Sequence, residues 1–236
     1  MASAQITDIG EPVPSHLIQS EPLLRPVMPE LDSIRGIAIL GVLFYHGFFW
    51  GIDLTPFSKT ARLVLTGMWI GRLGVDLFFV LSGFLITGLL LDSKERPDYY
   101  SRFYKRRALR ILPAYLLTIG VLVLVSHSPW KFIVLSLLYL SNLTPLFGVA
   151  IAYPVLWSLA VEEHFYFVWP AAVRSLKVKE LTVFCLLIVF LSPVSRAISF
   201  YATRADGYVS FVCNEYTWNS IDGLACGALL AIWLRS

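Results

Sequence analysis

The sequence has few charged residues. Lys, Arg, Asp and Glu make up 15% of its 236 residues, whereas about a quarter is usual for a soluble domain, and 57% of the residues are hydrophobic. A soluble globule of this size could not bury so much apolar side chain. The composition therefore excludes a disordered chain and a nucleic-acid-binding tail, and it favours a polytopic membrane protein.

Cysteine is also scarce. Cys185, Cys213 and Cys226 lie far apart and match no metal-ligand spacing. This excludes a secreted disulfide scaffold, and we expect no metal site. We interpret the three cysteines as small buried or lipid-facing residues.

The first 30 residues differ from the rest in composition. They carry five of the thirteen prolines and four acidic residues against one arginine, without the basic start and apolar core of a signal peptide. We expect residues 1–30 to form a disordered cytoplasmic tail. A transmembrane domain follows over residues 31–236, and because the chain stops directly after an apolar run, we expect that domain to be incomplete at its C-terminus.

Long apolar runs dominate the remainder of the chain. A helix needs about 20 residues to cross the hydrocarbon core. The runs predict an all-α transmembrane bundle with five to seven spans, at about 34–51, 66–91, 108–126, 131–148, 151–170, 181–200 and 216–235. Pro145, Gly148 and Pro154 interrupt the region 131–170, which indicates a broken or re-entrant helix there.

Basic residues predict the orientation of the bundle. The loop 92–110 has the densest basic cluster, so we expect it on the cytoplasmic side, with the N-terminal tail, and we expect the loop 52–65 on the outside. Arg174, Lys177 and Lys179 should also face the cytoplasm.

Arg35 and His46 share one face of the first predicted helix. They are eleven residues apart, which is about three turns, about 16 Å and about 20° around the axis. A polar side chain in lipid needs a partner, so His46 should face the bundle interior. Its neutral imidazole suits a general base for a hydroxyl, and a hydrogen bond between helices is the structural alternative.

Asp76 is the single carboxylate of the apolar stretch 74–84. A carboxylate within a membrane span indicates function by default. Ser82 and Gly83 are small enough to let a helix or a ligand approach, and close helix packing is the simpler interpretation.

The basic loop continues into the third predicted helix. Arg102, Arg106 and Arg110 follow one another at four-residue spacing, and Arg107 lies beside them. The cluster could anchor the protein on lipid phosphates. Alternatively, paired guanidinium hydrogen bonds could bind a phosphorylated cofactor at the cytoplasmic face.

Two glutamates interrupt an aromatic, apolar segment at 157–170. An interfacial aromatic belt accounts for Trp157 and Trp169 but not for Glu162 and Glu163. One of these carboxylates could orient His46 or polarise an acceptor hydroxyl.

Taken in order, these segments resemble the acyltransferase 3 family, the integral-membrane acyltransferases that modify bacterial polysaccharides and related surface molecules. The resemblance covers about residues 30–235 and rests on Leu31–Arg35 with His46, Gly74–Thr87, Tyr104–Tyr115, Trp157–Pro170 and, more weakly, Asp222–Leu230. It implies a helix bundle in the bacterial inner membrane. It also implies acetyl-CoA or another acyl-CoA as cytoplasmic donor, and a hydroxyl of a carbohydrate or lipid-linked acceptor.

The resemblance also implies roles for individual residues. His46 would be the catalytic base or acyl relay, and Glu162 would support catalysis or the acceptor. Asp76 is a further catalytic candidate because of its place within a membrane span. The donor would be bound by Arg35, Arg106, Arg107 and Arg110. The chain departs from the family at Ala160 and His164, where members often carry Ser and Gln.

Two other functions are compatible with the same residues. Intramembrane Arg, His, Asp and Glu could line the path of a transporter or channel that moves an acyl group or an anion without catalysis. The chain could also be an inactive truncated copy.

Overall fold

The chain folds into a bundle of helices. The computed structural model describes residues 29–46, 56–61, 73–125, 128–205, 207 and 213–235, and every regular element in these ranges is helical. The α-helices are α1 Pro29–Phe44, α2 Leu73–Asp92, α3 Tyr99–Val125, α4 Trp130–Leu137, α5 Leu156–Ser175, α6 Val178–Thr203, α7 Thr217–Ser220 and α8 Asp222–Trp233. Two 3-10 helices span Ser141–Phe147 and Cys213–Glu215. The predicted all-α class is confirmed.

Within the described residues, three helices are long and apolar enough to cross a membrane, namely α2, α3 and α6. They correspond to the predicted spans 66–91, 108–126 and 181–200. Helix α3 begins nine residues before the predicted span because the basic stretch from Tyr99 is itself helical. The predicted tail 1–30 lies outside the described residues as far as residue 28, and so does the end of the predicted span 34–51.

The candidate span 131–148 is not one continuous helix, and the break predicted in this region is confirmed. Helix α4 ends at Leu137, and Tyr139 takes a positive φ of 58°. The 3-10 helix that follows ends at Gly148, whose φ of 66° is a conformation that glycine adopts without strain. These two residues with positive φ interrupt the helical backbone and divide the apolar run into short helices.

The predicted span 216–235 is also divided. It contains α7 and α8, and the twelve residues of α8 measure about 18 Å, well short of the hydrocarbon core of about 30 Å. Helix α5 has 20 residues but carries Glu162, Glu163 and Arg174. The described helices thus include three continuous spans, and part of the predicted span 34–51 lies outside the described residues.

Helix α2 lies at the centre of the bundle and packs against α1, α5 and α8. Glycines make the closest of these contacts possible. A Cβ atom added to Gly83 would collide with the backbone of Leu224, and one added to Gly227 would collide with the carbonyl oxygen of Val80. The predicted role of Gly83 in close helix packing is confirmed.

Basic side chains gather at one end of the bundle, which we call the basic end and define by Lys94, Arg96, Arg174 and Arg235. Lys94 Nζ donates to the carbonyl oxygen of Leu176 at 2.9 Å, and Arg174 Nη1 to that of Arg96 at 3.5 Å. Arg235 pairs with Asp92 at 2.8 Å. The loop after α2, the end of α5 and the end of α8 therefore meet at one face, as the charge pattern predicts for Arg174.

The orientation can be tested with one cysteine just before α5 and one at its last residue. We expect Ala152→Cys to react with a membrane-impermeant maleimide in intact cells, because it lies opposite the basic end, and Ser175→Cys to react only after the membrane is opened. Both positions are exposed. The background should carry Cys226→Ala, because Cys226 is the exposed native thiol among the described residues. The reverse labelling pattern would contradict the predicted orientation and indicate the opposite topology.

Candidate functional site

Helices α3 and α5 run antiparallel, and their register brings a cation to two glutamates. Tyr99 Oη donates to the carbonyl oxygen of Pro170 at 3.0 Å, and Tyr104 Oη to that of Phe167 at 2.8 Å. One further turn along α3, Arg107 meets Glu163. Arg107 is eight residues into the helix, so this contact lies about 12 Å in from the start of α3.

Arg107, Glu162 and Glu163 form a buried cluster in which Arg107 is the cation. Its Nε and Nη2 atoms donate to Glu163 Oε1 at 3.1 and 2.7 Å, and Nη2 lies 4.0 Å from Glu162 Oε2. Its guanidinium carbon stacks 3.2 Å from the centroid of the Tyr166 ring. Arg107 was predicted to bind the donor. In the structure it chiefly balances the two glutamates.

Glu162 is the most deeply buried carboxylate of the cluster, with 5% of its surface exposed. The Ser82 hydroxyl lies beside it, and Arg35 is close enough to act on its charge. Its Oε1 atom makes no hydrogen bond to any described residue. A buried polar oxygen without a donor is costly, so this atom is suited to accept a hydrogen bond from a bound hydroxyl or amide.

The antiparallel packing of α1 on α2 places Arg35 and His46 at different levels of the bundle. Gly74 lies against Ala38 and Val42, and the guanidinium of Arg35 lies 6.0 Å from the Phe78 ring. His46 is one turn beyond Val42 and therefore near the end opposite the basic end. Because Arg35 and His46 are separated by about 16 Å along α1, Arg35 lies at the same depth in the bundle as Glu162, whereas His46 does not.

The His46 ring is oriented by its own helix. Nδ1 lies 2.9 Å from the carbonyl oxygen of Val42. Because a carbonyl only accepts, Nδ1 carries a proton, and in the neutral imidazole Nε2 then has the lone pair. The Val42 carbonyl therefore orients the imidazole ring of His46, a role that we had predicted for Glu162 or Glu163. Nε2 is the ring atom that can act as a base.

Arg106 and Arg110 lie in a groove of about 230 Å³ between α2 and α3. Arg102 and Arg107 also line it, together with apolar side chains such as Leu89 and Phe103. The structure thus brings together three of the four predicted donor-binding arginines, and Arg35 is elsewhere.

Asp98 lies close to the groove. Arg102 lies 3.7 Å from Asp98, whose pKa is lowered chiefly by a hydrogen bond from Arg96. Asp98 is therefore ionised at neutral pH and forms an ion pair with Arg102 at the edge of the groove.

Asp76 is separate from the Glu162 cluster. It lies at the end opposite the basic end, exposed, in a cavity of about 170 Å³ that Trp157 and Arg196 also line. Arg196 was not among the predicted site residues, although an arginine within an apolar helix is the same kind of signal as Asp76. Ser82 was predicted to allow the approach of a helix or a ligand, with helix packing as the simpler interpretation, and its hydroxyl lies beside Glu162.

The part of the chain that the structure describes contains no group of three His, Cys, Asp or Glu side chains that could hold a metal ion.

A family model described as an acyltransferase domain, that of acyltransferase 3, matches residues 28–234. The chain belongs to this family. It is an integral membrane protein, as the apolar helices of this acyltransferase 3 chain indicate. The resemblance stated from the motifs is thereby confirmed.

Two curated relatives carry related names. The chain is 33% identical over 171 residues to the peptidoglycan O-acetyltransferase OatA of Listeria monocytogenes, a match covering 62% of this chain and 24% of that protein. It is 33% identical over 170 residues to the O-acetyltransferase OatA of Staphylococcus aureus, covering 63% and 25%. The match thus spans about a quarter of the length of these relatives. No solved structure matches.

The buried ion pair predicts a large loss of stability when its cation is removed. Arg107→Gln removes the cation that hydrogen-bonds Glu163 and lies 4.0 Å from Glu162, which we expect to cost about 3–5 kcal/mol and to lower the Tm of the purified protein in detergent. The double variant Arg107→Gln with Glu163→Gln should regain part of that loss. Lys105→Gln, an exposed change on the same helix, is the control. An Arg107→Gln protein as stable as this control would contradict the assigned role.

Proposed function

We propose that this chain is a membrane-bound O-acyltransferase domain. It moves an acyl group, of which acetyl is the one to test first, from cytoplasmic acyl-CoA to a hydroxyl of a carbohydrate or other cell-surface acceptor. One observation carries the proposal. Polar groups follow one another through the bundle, from the arginine groove to Arg107 and Glu163, then to Glu162, and finally to His46 and Asp76 at the opposite end.

The groove at the basic end fits the phosphates of the donor. Arg106 and Arg110 are exposed, and guanidinium groups bind phosphate oxygens through paired, charge-assisted hydrogen bonds. Apolar side chains beside them, Leu89 and Phe103, suit the less polar part of such a molecule. Arg110 is one turn deeper than Arg106, so a donor held there would direct its acyl-bearing arm into the bundle.

His46 is the base of the proposed reaction. Its Nε2 would accept the proton of the acceptor hydroxyl while the hydroxyl oxygen attacks the thioester carbonyl and the carbon–sulfur bond breaks. The sulfur leaves as a thiolate and then takes that proton, so that the imidazole is neutral again. The Val42 carbonyl keeps Nδ1 protonated throughout.

Glu162 is the positioning residue at mid-bundle. Its Oε1 would accept a hydrogen bond from the amide or hydroxyl of a bound substrate, while Arg107 and Arg35 keep its carboxylate balanced in charge. The buried cluster would thereby hold the substrate in line between the arginine groove and His46.

The first test is covalent transfer by the purified protein in proteoliposomes given labelled acetyl-CoA and a soluble oligosaccharide. Label bound covalently to the saccharide supports the proposal. Label that crosses the membrane without forming product would instead favour a transporter and contradict the proposal.

The proposed base predicts a loss of turnover without a loss of donor binding. We expect His46→Ala to lower kcat by about 10²–10⁴-fold, the usual contribution of a general base. Insertion into the membrane and the KM for acetyl-CoA should not change. His164→Gln is the control, because it replaces a histidine of the same bundle by the residue that many family members carry. Full transfer by His46→Ala would remove His46 from the mechanism.

The proposed donor groove predicts the opposite kinetic pattern. Each charged hydrogen bond to a phosphate contributes about 1.5–3 kcal/mol, so Arg106→Ala or Arg110→Ala should raise the KM for acetyl-CoA by about tenfold or more with little effect on kcat. Lys105→Ala is the matched control, since Lys105 is exposed on the same helix but does not line the groove. If Lys105→Ala raised KM equally, the cluster would be a general membrane anchor.

A further inference from the structure

The end of the bundle opposite the arginine groove contains a second polar cavity. It has a volume of about 170 Å³, and among the described residues its polar lining consists of Asp76, Trp157, Arg196, Asn214 and Ser220. These residues come from α2, α5, α6 and the segment between α6 and α8. Four distant parts of the chain therefore converge on one small space.

Packing holds the walls of this cavity in place. The Trp157 ring stands edge-on to the buried Phe79 ring, with 5.8 Å between their centroids. Arg196 Nη2 lies 2.9 Å from Asp222 Oδ2, and its Nε donates to the carbonyl oxygen of Asn219 at 2.8 Å. Both large side chains are thus fixed by neighbours outside the cavity, as a preformed binding site requires.

The polar groups of the cavity differ from those of the arginine groove. Among the described lining residues, Arg196 pairs with Asp222, which lies outside the lining, and Asp76 supplies a carboxylate. Asn214 and Ser220 add an amide and a hydroxyl group. A molecule rich in hydroxyl groups could donate hydrogen bonds to the carboxylate and to the amide oxygen.

The shape of the cavity narrows the ligand further. Its volume is below the ~300 Å³ at which pockets for drug-sized molecules begin, so it could hold a single ring of a longer molecule. A flat indole beside carboxylate and amide groups matches a sugar ring, which presents an apolar C–H face and a rim of hydroxyl groups.

We propose that this cavity, formed by Asp76, Trp157, Arg196, Asn214 and Ser220, is the acceptor subsite and binds one sugar ring of a glycan. The proposal rests on the proposed O-acyltransferase function and makes Asp76 an acceptor-binding residue. His46 belongs to the same end of the bundle, since Val42, one turn before it, packs on Gly74, two residues before Asp76. A hydroxyl of a ring held here would therefore be presented on the side of the proposed base.

Direct binding tests the subsite independently of catalysis. We expect tetra-N-acetylchitotetraose to show saturation transfer in NMR spectra with the protein in nanodiscs. Trp157→Ala and the isosteric Asp76→Asn should weaken that binding by about tenfold or more. The matched controls Trp233→Ala and Asp92→Asn change the same residue types at the basic end and should bind the saccharide as the unaltered protein does. Trp157→Phe should recover part of the binding, since it keeps an aromatic face.

Two results would overturn the subsite. One is absence of saccharide binding to the unaltered protein, and the other is equal binding by Trp157→Ala and Trp233→Ala. The subsite and the proposed function can fail separately. Saccharide binding that depends on Asp76 without any acyl transfer would contradict the function and leave the subsite standing. Acyl transfer with an unchanged KM for the saccharide in both cavity variants would contradict the subsite alone.

Discussion

Burying two glutamates among apolar helices is costly unless cations accompany them, and in this bundle the cation is Arg107. Its two hydrogen bonds to Glu163 and its approach to Glu162 join α3 to α5 about 12 Å inside the bundle. The tyrosine hydrogen bonds between the same helices lie on the basic-end side of this pair. Sliding either helix by one turn would separate the charges, so the ion pair defines the register from which the polar site is built.

Close packing around α2 completes that site. Gly83 and Gly227 let α2 and α8 approach until backbone meets backbone, and Gly74 does the same for α1. These contacts bring Ser82 beside Glu162 and Arg35 close enough to act on its charge. Small residues therefore serve function indirectly here, because they decide how near the polar side chains of neighbouring helices come to each other.

The polar groups of the described residues divide between the two ends of the bundle. The groove at one end is lined by four arginines, which match a phosphorylated donor. In the cavity at the other end Arg196 pairs with Asp222, and a carboxylate, an amide and a hydroxyl group line the space beside it. The glutamate cluster lies between the two ends. This arrangement matches a transfer from a phosphorylated donor to a hydroxyl acceptor, which is the chemistry that we propose for this acyltransferase 3 chain.

Composition determined that the chain is a membrane protein, since so much apolar side chain cannot be buried in a soluble globule. The lengths of the apolar runs determined the all-α class, and motif order determined the family. The break at Gly148 was predictable from local backbone chemistry. Tertiary structure decided the rest. The pairing of Arg107 with Glu163 depends on the register of two helices that are distant in sequence, and no local pattern encodes that register. For the same reason the separation of Asp76 from Glu162, and its meeting with Arg196, became visible only when the helices were packed.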